Sequence, residues 1–101
     1  MLRPVPKQEC IPMLKALADE TRWRIVRELL STPRTVGELV ERLDVSQYNV
    51  SKHLRILREA GIVEMERAGK HVHCRVAADF RKQLTRNATV LDLGCCTFRF
   101  D

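Results

Sequence analysis

Two adjacent cysteines, Cys95 and Cys96, stand near the end of this 101-residue chain. Adjacent cysteines are poor disulfide partners, because the bridge strains the peptide between them. They can instead offer two thiolates to one soft ion. Thiolates select acceptors such as Cu(I), Zn(II) and iron–sulfur centres, and trivalent arsenic and antimony follow the same preference. An arsenite-type centre takes three sulfurs in a pyramid around a lone pair, whereas structural zinc takes four ligands in a tetrahedron. A vicinal pair plus one more sulfur meets the first demand more easily. The other cysteines are Cys10 and Cys74.

A second chemistry is written in residues 46–61. Ser46 is a good N-cap, since its hydroxyl can accept from an orphan N–H of the first turn. Gly61 suits the left-handed residue that ends a helix. Between them Val50, Leu54 and Leu57 recur at helical spacing, so one stripe faces a core. Tyr48, Ser51, Lys52 and Arg55 fall on the opposite side. A face of hydrogen-bonding and cationic groups suits a helix lying in a DNA major groove. Lys and Arg total 18 against 13 Asp and Glu, a net charge of +5, which favours a polyanionic partner.

The flanks complete a known supersecondary pattern. Thr35-Val36-Gly37-Glu38 reads as a capping box opening a short helix, Val36 to Leu43. Asp44-Val45-Ser46 then connects tightly to the second helix, as in a helix-turn-helix. Downstream, 62–67 and 71–76 alternate around Ala68-Gly69-Lys70, which predicts a hairpin. Val72, Cys74 and Val76 share its buried face. Arg67, Lys70 and Arg75 are candidates for phosphate or minor-groove contact. A helix-turn-helix followed by a basic hairpin is a winged helix. The expected fold is therefore mainly α with a small β-hairpin.

Around this centre the expected order is an N-terminal arm (1–9), a DNA-binding and dimerisation domain (10–88) and a tail carrying the vicinal cysteines (89–101). A first helix is predicted at about 10–18 with Ile11, Leu14 and Leu17 on one face. A second, 20–31, is capped by Asp19, with Trp23 in the core. A helix from Asp79 should end near residue 90, followed by an extended or irregular tail. The chain shows neither a secretory signal nor a membrane span. The cytosol is the expected compartment, and its cysteines are expected as thiols. His53, beside the core stripe, reads as a hydrogen-bonded structural histidine. His71 and His73 read as solvated or DNA-facing.

The runs Leu14-Lys15-Ala16-Leu17-Ala18-Asp19-Glu20-Thr21-Arg22, Val36-Gly37-Glu38-Leu39, Ser46 to Leu54 and Leu57-Arg58-Glu59-Ala60-Gly61-Ile62-Val63 resemble the ArsR/SmtB family, over roughly 11–77. The resemblance implies a dimeric winged-helix repressor, not an enzyme, that leaves an inverted-repeat DNA operator when it binds a metal or metalloid. It implies DNA contacts at Gln47, Tyr48, Ser51, Lys52 and Arg55, with Arg67 and Lys70 in the wing. It also implies that the first helix packs beside the C-terminal element, so Cys10 is a candidate third ligand for Cys95 and Cys96. The expected inducer is As(III), with Sb(III) second, and no organic cofactor. The family's cysteine pair before the recognition helix has no counterpart in Val36 to Val40, nor does its Asp/His zinc site in 79–86. A thiol redox or persulfide sensor of the same fold is the alternative. Thr89-Val90-Leu91-Asp92-Leu93-Gly94-Cys95 also resembles the first glycine loop of S-adenosylmethionine-dependent methyltransferases. Cys96 and Phe98 stand where further glycines are needed, so that likeness implies at most a remnant of a fusion.

Overall fold

The computed structural model describes residues 7–84, 90–92 and 96–100, with side chains from Cys10 onward. In chain order the elements are α1 (Lys7–Leu17), α2 (Glu20–Ser31), β1 (Arg34–Thr35), α3 (Val36–Leu43), α4 (Gln47–Glu59), β2 (Val63–Ala68), β3 (His71–Val76), α5 (Ala78–Arg81), β4 (Val90–Asp92) and β5 (Thr97–Arg99). This is a winged helix-turn-helix. Of the expected arm, 1–9, residues 1–6 lie outside the described residues, while 7–9 form the start of α1 instead of an irregular segment.

Local chemistry sets most of the boundaries. Asp19 caps α2 by accepting from the Arg22 N–H at 3.0 Å. The Thr35 hydroxyl accepts from the Glu38 N–H at 3.1 Å, and the Glu38 carboxylate accepts from the Thr35 N–H at 2.8 Å, the reciprocal bonds of a capping box. Those bonds, the Thr35 N–H first, hold the Glu38 carboxyl below the usual carboxylate range. Ser46 accepts from the Asn49 N–H at 3.2 Å and opens α4. The turn between α3 and α4 passes through Asp44 in the left-handed region, φ 55°, where aspartate is tolerated because its short side chain can bond locally.

Gly61, at φ +80°, ends the recognition helix. There the Ile62 N–H donates to Leu57 O at 2.9 Å, and the Ala77 N–H donates back to Ile62 O at 2.8 Å. The wing is thus tied at both its entry and its exit to the end of α4. Its strands pair antiparallel with Met65 opposite Cys74 and Ala68 opposite His71. The short β1 adds on the other side of β3, giving the order β1-β3-β2. That strand was not foreseen: two residues carry no periodicity, and only pairing with His73 and Cys74 defines it.

One core runs through the molecule. Ile25, Val26, Leu29, Leu39, Val50, Leu54, Leu57 and Ile62 are all fully buried. Burying a side chain of this size contributes about 1.5–3 kcal/mol. The same cluster includes Phe80, Leu91 and Phe100, with Trp23, Cys96 and Phe98 packed against it.

The C-terminal part departs from expectation. The last helix among the described residues is one turn, Ala78–Arg81, and residues 82–84 do not continue it. The Gln83 and Leu84 N–H groups bond to Phe80 and Arg81, three residues back, which tightens the turn and ends it. Leu84 then bridges to Leu91, and β4 pairs with β5. The driving contact is aromatic: Phe100 stacks on Trp23 at 4.4 Å between centroids, and Phe98 meets it edge-on at 6.0 Å. Helix α1 differs too. It begins at Lys7 and runs through Pro12, and Ile11 is 53% exposed instead of joining Leu17 in the core.

Candidate nucleic-acid interface

Helix α4 divides as its periodicity requires. Val50, Leu54 and Leu57 are buried, while Gln47, Tyr48, Ser51, Lys52 and Arg55 are exposed. Tyr48 is 78% exposed, so its ring makes little contact within this chain. Tyr48, Ser51, Lys52 and Arg55 line one groove together with Ile56 and Glu59. A second cleft lies between the start of α4 and the wing. Gln47, Ser51, Arg67 and Lys70 line it, with Thr35, Gly37 and His71 beside them. Ser51 belongs to both, so all seven residues expected at DNA lie along one continuous surface.

Charge pairing separates two kinds of cation. Among the described residues, Arg75 is held by Glu64 at 3.8 Å and Glu66 at 3.7 Å across the wing. Arg42 and Arg34 share Glu28, at 2.7 and 3.7 Å. Lys52, Arg55, Arg67 and Lys70 enter no ion pair or hydrogen bond among the described residues and remain exposed along the cleft. Four cations without an internal carboxylate partner among the described residues thus lie along one surface, where a polyanion could meet them. Thr35, Gly37 and His71 are lining residues that periodicity did not single out. Their placement follows from the pairing of β1 with β3, which brings the start of α3 against the wing.

The histidines are accounted for separately. His53 sits behind the recognition face, where its Nδ1 meets Arg22 NH1 at 3.1 Å and lies 3.8 Å from the Asp19 carboxylate. This is the structural histidine that was expected. Burial lowers its pKa, partly offset by Asp19. His71 and His73 share an exposed edge of β3 with ring centroids 6.5 Å apart.

The cysteines fall into three states. Cys74 is a fully buried thiol in the wing, and burial pushes it up to about 11. Cys96 is a half-buried thiol against the core. Cys10 is buried and disulfide-bonded, which corrects the expectation that every cysteine is a thiol; its partner lies outside the described residues. Cys95 and most of the glycine-loop-like run also lie outside them. Among the described residues no three His, Cys, Asp or Glu side chains are grouped to hold a metal ion, and no helix is long and apolar enough to cross a membrane.

This geometry defines a winged-helix protein with a basic recognition surface, and comparison with known proteins gives its family. Residues 19–65 match the family described as "Bacterial regulatory protein, arsR family". The chain is similar to the HTH-type transcriptional repressor SmtB of Mycobacterium tuberculosis, at 48% identity over 65 residues, covering 64% of this chain and 48% of that protein. It is similar to the arsenical resistance operon repressor of Escherichia coli, at 43% identity over 68 residues, covering 66% and 58%. Among solved structures, HlyU from Vibrio cholerae superposes with a TM-score of 0.68 at 34% identity, covering 73% of this chain and 83% of that one. The chain belongs to the ArsR family. It spans about half the length of the curated relatives it matches.

Proposed function

We propose that this chain is a transcriptional repressor that binds duplex DNA as a homodimer on an inverted-repeat operator. The observation that carries the reading is the cleft between α4 and the wing, where Gln47, Ser51, Arg67 and Lys70 meet beside the exposed Tyr48, Lys52 and Arg55. The recognition helix enters the major groove, with half-sites about one helical turn, roughly 34–36 Å, apart. Arg67 and Lys70 hold phosphates and fix the register. Similarity to a homodimeric winged helix-turn-helix DNA-binding domain of Mycobacterium bovis supports the dimer.

The inducer in this reading is trivalent arsenic, or antimony, held by Cys95 and Cys96. Similarity to an arsenical resistance repressor supports it, as does the softness of vicinal thiolates. Cys10 can serve as a third sulfur only after reduction. The disulfide at Cys10 favours a second reading, in which oxidation of thiols is itself the signal. The test is release from promoter DNA under reducing conditions against arsenite, zinc and cadmium, for wild type and Cys95→Ser/Cys96→Ser. Arsenite-driven release that the double variant loses, with DNA affinity otherwise unchanged, supports the metalloid reading. Release by oxidant in metal-free buffer, with no response to arsenite, replaces it with the redox reading.

A further inference from the structure

Arg22 is the most connected side chain behind the recognition helix. Its Nε donates to Ala16 O at 2.6 Å and its NH2 to Lys15 O at 3.3 Å, so the guanidinium closes the C-terminal turn of α1. Its NH1 lies 3.1 Å from His53 Nδ1 on α4. Arg22 itself stands in the first turn of α2, where its backbone N–H is bound by Asp19. Three helices therefore meet on one side chain.

The proton inventory decides the state of His53. Guanidinium has only donors. The Nδ1 atom facing it must accept, which places the ring proton on Nε2 and requires the neutral imidazole. A second proton would land on Nδ1, against a cation, and the bond to Arg22 would be lost. The charged groups that reach the ring are Asp19 and Arg22 on α2 and Lys52 on its own helix. α1 contributes its Lys15 and Ala16 carbonyls through Arg22. Among the described residues the carboxylate at the ring, Asp19 at 3.8 Å, already caps α2 and faces Arg22.

We propose that His53 is a positioning residue for DNA recognition, which in its neutral form locks α4 through Arg22 to the end of α1, and on protonation releases that lock. This rests on the DNA-binding reading above and deepens it. Lys52 and Arg55 flank His53 on α4, so freedom at His53 is freedom at the contact face. The lock also makes α1, the element carrying Cys10 and the exposed Ile11, mechanically continuous with the recognition helix.

The sign of the effect distinguishes it from simple charge. Added positive charge on the protein alone would strengthen binding to a polyanion, whereas loss of the lock weakens it. The full-length chain is titrated onto promoter DNA between about pH 8 and pH 5.5 at constant ionic strength, as wild type, His53→Asn and His53→Leu. Asparagine places a permanent oxygen acceptor near the position of Nδ1 and cannot take up a proton in this range. On acidification wild type loses affinity about fivefold or more relative to His53→Asn. His53→Leu binds more weakly than His53→Asn at every pH. Equal pH profiles for wild type and His53→Asn overturn the proposal. A second measurement needs no DNA: the Arg22 Nε–H resonance in wild type should titrate with the His53 ring. An Arg22 resonance that ignores the His53 titration overturns the lock even where DNA binding is normal. Absence of DNA binding by all three proteins, with Arg22 and His53 still titrating together, refutes the DNA-binding reading while leaving the lock standing.

Discussion

Neutralising the two wing cations gives the sharpest test of where the DNA backbone lies. Arg67 and Lys70 line the cleft beside Gln47 and Ser51 and have no acidic partner among the described residues. Each cation that meets a phosphate releases counterions, so log Kobs falls with log salt by about 0.9 per contact. Two contacts per chain make four per dimer. Arg67→Gln/Lys70→Gln should therefore flatten the slope by about 3.6 for a dimer on both half-sites. Between about 50 and about 200 mM salt, wild type should lose roughly 150-fold more affinity than the double variant. Fluorescence anisotropy of a labelled operator across that range measures both slopes. Arg75→Gln is the control, because Arg75 is engaged by Glu64 and Glu66; its slope should stay close to wild type. A double variant whose slope stays within about 0.5 of wild type would refute phosphate contact by the wing. Equal flattening by Arg75→Gln would show that overall charge, and not placement, sets the affinity.

Three further outcomes are expected. Phe100→Ala removes a buried ring stacked on Trp23 and should cost about 3–5 kcal/mol, seen as a lower melting temperature and a red shift of Trp23 emission; Thr97→Ala, on the exposed side of β5, should change neither. Ser46→Ala deletes the cap of α4 and should cost about 1 kcal/mol in chemical denaturation, whereas Ser51→Ala should weaken DNA binding and leave stability alone. Burial raises the Cys74 thiol from 9.0 to about 11, so the stability linked to its neutral form is present below pH 9 and is lost as pH rises through 11; native protein at pH 8 should leave Cys74 unlabelled by a thiol reagent that modifies it at once after unfolding.

The helix-turn-helix was legible because each of its boundaries is made by one or two residues acting on their own backbone. Asp19, Thr35 with Glu38, Ser46 and Gly61 all stand where their chemistry predicts. The alternation of Val72, Cys74 and Val76 likewise placed the wing, and the stripe Val50, Leu54, Leu57 told the buried face of α4 from the presented one. The region after Ala78 was not legible in the same way. Phe80 and Leu84 stand at helical spacing, which favours a longer helix, but Leu84 is used instead to bridge Leu91. What decides the matter is Trp23, more than fifty residues earlier, which offers its ring to Phe98 and Phe100. No window of local sequence contains both sides of that contact. The site divides along the same line: the contact face of α4 and the wing residues could be named individually, while their meeting in one cleft, with Thr35, Gly37 and His71, depends on β1 joining the sheet. Arg22 was invisible for the same reason, since its side-chain partners lie on two other helices, α1 and α4.

The two hydrogen bonds at Ile62 carry a consequence for how such a protein lets go. Because the wing enters and leaves through the end of α4, the two gripping surfaces are one lever and not two fingers. A tilt of the helix swings the hairpin tip through an arc set by its own six-residue strands, so under the proposed DNA-binding reading the contacts of α4 and those of the wing are expected to be lost in the same motion.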